Sequence, residues 1–110
     1  MVSPGPMTLS ELAVIQAVVD ALGSWRVGRA VQGRRQNVPP AGPIEAGLMN
    51  MLCSGTRDAD YQRYRTRMRA IRKENPGDGP CDIAIRLLPA ISEDKDFLGV
   101  MTAMLTPLSR

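Results

Sequence analysis

Apolar residues recur at helical spacing through most of the chain, and turn-forming residues divide them into blocks. Residues 1–7, with Pro4, Gly5 and Pro6, read as a flexible leader. Thr8-Leu9-Ser10-Glu11 then fits a capping box, in which a Thr hydroxyl serves an orphan amide and a Glu three residues on reaches back. The apolar run that follows extends to Leu22, and Gly23 suits the position just past a helix end. Gln16 and Asp20 share one narrow polar face of this segment. A helix this apolar is either central to the core or packed against another chain. The central position is the expectation, with a homodimer through residues 9–22 as the alternative.

Ser24 is placed to cap a second helix over 24–35, with Trp25, Gly28, Val31 and Gln32 on one face. Gly28 and Gly33 each weaken that helix by about 1 kcal/mol, and the alternation of Trp25 and Val27 also fits a short strand. Gln36 to Gly42, with Pro39-Pro40, is a loop. Pro43 suits the first turn of a helix carrying Ile44, Leu48, Met51 and Leu52, which should end near Cys53-Ser54-Gly55. Asp58 caps the next helix, which runs to about Glu74 on a seam of Tyr61, Tyr64, Met68 and Ile71. Asn75 to Pro80 is the strongest loop signal in the chain. Ile83, Ile85, Leu87, Leu88 and Ile91 mark a short helix stopped at Pro89. Ser92 caps a last helix, with Glu93, Asp94 and Asp96 complementing its N-terminal dipole. Phe97, Val100, Met101, Met104 and Leu105 form its apolar face, and Pro107 ends it. The pattern predicts an all-α single domain of four to six short helices over 8–107, behind the leader 1–7.

Length and composition agree with that reading. A chain of 110 residues is one domain's worth, and 44% hydrophobic with 23% charged residues is ordinary for a folded globular protein. The longest apolar stretch is interrupted at Gln16 and Asp20 and falls short of the roughly 20 residues that cross a bilayer. No Lys or Arg precedes it, so it does not read as a secretory signal, and a cytoplasmic protein is expected.

Candidate chemistry is sparse. With no histidine, Ser-His-Asp and Cys-His nucleophile schemes and histidine-containing metal sites are excluded. Cys53 and Cys81 alone make no zinc site and are expected to be free, mostly buried thiols. The paired carboxylates all fall at helix starts, where capping and the dipole account for them. Gly77-Asp78-Gly79 lacks the preceding strand of a nucleotide loop and the ligand alternation of a calcium loop. A non-catalytic protein without cofactor or metal is expected.

Charge is what remains. The net charge is +3, but it is unevenly spread. Residues 24–73 hold eleven cations against three acids, a balance of +8, while 1–23 carry −2 and 74–110 carry −3. Arg63, Arg65, Arg67, Arg69, Arg72 and Lys73 lie on one predicted helix with no acid between Asp60 and Glu74. Arg26, Arg29, Arg34 and Arg35, beside Trp25, form a second cluster. Like charges at i,i+4 cost a few tenths of a kcal/mol per pair, which an anionic partner would offset. Guanidinium forks match phosphates and carboxylates alike. These ten residues are the candidate surface for DNA or RNA. An acidic protein partner, for an inhibitor or adaptor, is the alternative. The basic face can also be solvated, or paired with Glu93, Asp94 and Asp96 of the same chain. Trp25 fits either stacking on a base or a place in the core.

The stretch from Leu22 through Trp25 to Pro43-Ile44 resembles the start of short phage antitermination proteins of the Q type. Those carry a tryptophan-rich helix followed by a Pro-Ile or Pro-Met segment. Here the second tryptophan is missing and no clear helix-turn-helix follows. The likeness covers about a fifth of the chain, and the small, arginine-rich, histidine-free character is compatible with a phage or mobile-element regulatory or accessory factor.

Overall fold

The capping box forms as the sequence predicts. The Thr8 amide donates to Glu11 Oε1 at 2.9 Å, and the Glu11 amide donates to Thr8 Oγ1 at 3.2 Å. The structure, a computed structural model, describes residues 7–32 and 41–108; of residues 26–32, 41–42 and 56 it describes the backbone alone. Five helices are present among these residues: α1 (Leu9–Gln32), α2 (Ala41–Ser54), α3 (Ala59–Glu74), α4 (Pro80–Ile91) and α5 (Lys95–Leu105). Short 3-10 turns follow α2 and α5, at Gly55–Arg57 and Thr106–Leu108. No strand occurs among the described residues, so the chain is all-α.

The hub is α1, which packs on α2, α4 and α5. Val14, Ile15, Val18, Ala21, Leu22 and Trp25 bury its broad apolar face, while Gln16 Nε2 donates to Asp20 Oδ1 at 2.7 Å on the narrow polar one. Among its described side chains the apolar residues are therefore mostly consumed within the chain, and Leu9 and Leu12 are the large ones left exposed there. α4 is the second hub, touching α1, α3 and α5. Each helix contributes buried side chains to one shared core, among them Leu22, Met51, Met68, Leu87, Phe97 and Met101.

Four local expectations need correction. First, Gly23 does not end α1, and the separate helix expected from Ser24 is its continuation to Gln32. A helical glycine costs about 1 kcal/mol relative to alanine, and burying Trp25 against Phe97, ring centroids 5.8 Å apart, offsets this. Second, α4 runs through Pro89 to Ile91. Only one backbone bond is lost there, in the last turn, and Ala90 and Ile91 keep contact with the core. Third, Asp94 rather than Ser92 caps α5, its Oδ1 accepting from the Phe97 amide at 2.9 Å. Ser92 instead ends α4, and its hydroxyl accepts from the Asp94 amide. Fourth, Met7 is buried, and its amide donates to the Tyr61 phenolic oxygen, so the last residue of the expected leader belongs to the core. The rest of the expected leader, 1–6, lies outside the described residues.

The link from α2 to α3 depends on Gly55, whose φ of +62° lies in the left-handed region. Asp58 then caps α3 through the Asp60 amide at 2.8 Å, as its position in the sequence implies. We expect Gly55→Ala to cost about 1–2 kcal/mol, although no atom crowds the added carbon. Chemical denaturation measures this; an unchanged midpoint would mean that the turn relaxes freely.

Candidate anion-binding surface on the third helix

α3 is amphipathic because its apolar residues step by three and four. Tyr61, Tyr64, Met68 and Ile71 are all buried, as the seam predicts. At roughly 100° per residue, the cations flank this seam on both sides. Arg65, Arg69 and Lys73 form one i,i+4 row, and Arg63 and Arg67 form another. Thr66 and Ala70 lie between the rows as a low ridge.

The two rows have different fates. Arg65 is buried, only 5% exposed, and its Nε lies 3.9 Å from Glu11 Oε2. It belongs to the interior and is removed from the candidate surface. The reason is its place at the edge of the seam, where Glu11 at the start of α1 meets it. Arg69, more than half exposed, approaches the same carboxylate oxygen at 3.6 Å. Arg72 Nη2 donates to Ser10 Oγ, which holds it against the start of α1. Glu11 is thus both the capping-box residue and the internal counter-ion of α3. The expected partners Glu93, Asp94 and Asp96 make no ion pair with α3 among the described residues.

On the other row, Arg63 pairs with Asp60 at 3.0 Å, and its guanidinium carbon lies 4.9 Å above the Tyr64 ring. Its Nη2 donates to the Tyr64 phenolic oxygen at 3.2 Å. Burial raises the Tyr64 phenol above its ordinary value of 10.0, with the Arg63 charge opposing. Arg67 and Lys73 are exposed and have no ion-pair partner among the described residues. Arg57, in the turn before α3, is likewise exposed and unpaired there. It lies at the start of the basic stretch 57–73, ahead of the run of arginines on α3.

The second predicted cluster is only partly accessible to description. Arg26 and Arg29 fall in the last turns of α1, where the backbone alone is described, and Arg34 and Arg35 lie outside the described residues. Trp25 is a core residue, 7% exposed, and not a stacking platform. Both cysteines are free thiols, and Cys53 is exposed rather than buried. Among the described residues, no three His, Cys, Asp or Glu side chains come together as metal ligands, and no helix is long and apolar enough to cross a membrane.

No protein-family model matches the chain, and neither a curated protein nor a solved structure is found to be similar to it. The likeness to antitermination proteins stays confined to the few residues that carry it.

Proposed function

We propose that this is a non-catalytic binding protein that lays the exposed arc of α3 along the phosphate backbone of nucleic acid. The observation that carries this reading is the pair Arg67 and Lys73. They are exposed and unpaired on opposite sides of the low Thr66–Ala70 ridge, with Arg63 and Arg69 more than half exposed beside them. Arginine and lysine held this way supply affinity through phosphate oxygens and read no base sequence. The proposed surface is narrower than the sequence implied, because Arg65 is buried and Arg72 is tied to Ser10.

The test is binding to labelled duplex DNA, single-stranded DNA and RNA at about 50 and 200 mM salt. With the four cations Arg63, Arg67, Arg69 and Lys73 in contact, affinity should fall roughly 10²-fold across that range. Replacing Arg67 and Lys73 by alanine should weaken binding and roughly halve the slope of log affinity against log salt. If nothing binds at low salt, the nucleic-acid reading falls, and an acidic protein partner becomes the one to seek.

A further inference from the structure

The Glu11 carboxylate is used twice, and its two oxygens are not equivalent. Oε1 is fixed by the Thr8 amide at 2.9 Å. Oε2 is buried without a hydrogen bond, facing Arg65 Nε at 3.9 Å and Arg69 Nε at 3.6 Å. Glu11 also lines a gap of about 10 Å³ together with Arg69 and Arg72. The two arginines differ as well. Arg65 is 6% exposed at its side chain and cannot leave without exposing or stranding a charge. Arg69 is 57% exposed and is free to turn toward solvent; neither arginine is hydrogen-bonded to Glu11, so exposure and not contact length distinguishes them.

From this asymmetry we propose that Glu11 is a built-in competitor for the anion that α3 binds. The inference rests on the anion-binding reading above and adds an autoinhibitory contact to it. A phosphate oxygen arriving at Arg69 takes that guanidinium away from Glu11. The carboxylate cannot follow, because Oε1 is tethered to the end of α1, and it keeps Arg65 as its counter-ion. Until that exchange, the negative charge of Glu11 beside Arg69 repels the incoming anion. The flank of α3 facing α1 is therefore held at reduced affinity, while Arg67 on the far flank is open.

Glu11→Gln separates this from a structural role, since glutamine also serves in capping boxes and only the charge is lost. Anisotropy titration with mixed-sequence duplex DNA should show about tenfold tighter binding for Glu11→Gln, on the scale of removing one nearby charge. The gain should vanish in an Arg69→Ala background. Should Glu11→Gln fold poorly around the stranded Arg65, the same gain is expected with Glu11→Gln and Arg65→Met combined. Wild-type binding with no gain in either variant, or a gain that persists without Arg69, would overturn the proposal and leave the nucleic-acid reading standing. If neither protein binds DNA or RNA, that reading fails by itself. The competition is then read with inorganic pyrophosphate, following the Arg69 Nε–H resonance. A tighter response in the variant supports the inference, and an equal one overturns it.

Discussion

Phe97→Ala is expected to lower the unfolding free energy by about 3–5 kcal/mol, the usual cost of emptying a buried aromatic site. Phe97 is fully buried, and its ring meets Trp25 at 58° between planes, a tilted contact that adds to the area it buries. It sits in the first turn of α5, directly after the Asp94 cap, so it anchors that helix to both α1 and α4. Small domains hold only about 5–15 kcal/mol in total, and the variant should therefore be near the edge of folding. Urea denaturation gives the number, and Leu108→Ala is the matched control. Leu108 is 68% exposed, and its truncation should stay within about 0.5 kcal/mol of wild type. A loss of less than about 1 kcal/mol for Phe97→Ala would mean that α5 is not part of the common core.

The same element illustrates what the sequence alone could decide. The apolar face of α5 was legible because Phe97, Met101 and Leu105 repeat at helical spacing, and all are buried. Its cap was misplaced by two residues, because Ser92, Asp94 and Asp96 are all competent cap residues, and only the packing of Phe97 chooses among them. α3 was legible throughout, from the Asp58 cap to Glu74, since both ends carry strong local signals. Gly23 and Pro89 misled for the opposite reason. Each is a local stop signal overridden by burial of its neighbours, Trp25 in one case and Ala90 with Ile91 in the other.

The candidate surface was half legible. Spacing placed Arg65 at the edge of the tyrosine–methionine seam, but a wheel position at the edge does not say which side α1 covers. The partner of Arg65 lies 54 residues away, and nothing local announces it. Glu11 was recognised for its capping role, which explains it completely at the level of α1. Its second role exists only once α3 is laid beside that end of the helix. One hint was there to read, an acid within an otherwise apolar face, and capping absorbed it.

That double role makes Glu11→Ala the other substitution with a large expected effect. It removes the capping-box bond that the Thr8 amide donates to Glu11 Oε1, worth about 1 kcal/mol at such sites, and it strands Arg65 as an unpaired charge in the interior. Breaking a buried pair from one side costs about 3–5 kcal/mol, so the two losses together rival emptying the Phe97 site. Removing both charges is a different experiment. With Glu11→Gln and Arg65→Met combined, the capping oxygen and the side-chain volume are kept, and no charge is left buried without a partner. Such exchanges are often neutral or stabilising, so the double variant should lie close to wild type and well above Glu11→Ala. The cycle is read from denaturation midpoints at constant slope. High salt should leave the ranking unchanged, because a buried pair is little screened. If Glu11→Ala and the double variant were equally destabilised, the electrostatic account would be wrong, and the weight would fall on packing around Val14 and Met68. If the double variant is the more stable by several kcal/mol, the pair exists to place charge rather than to hold the fold. That is the outcome consistent with a carboxylate set beside Arg69 to moderate what α3 can bind.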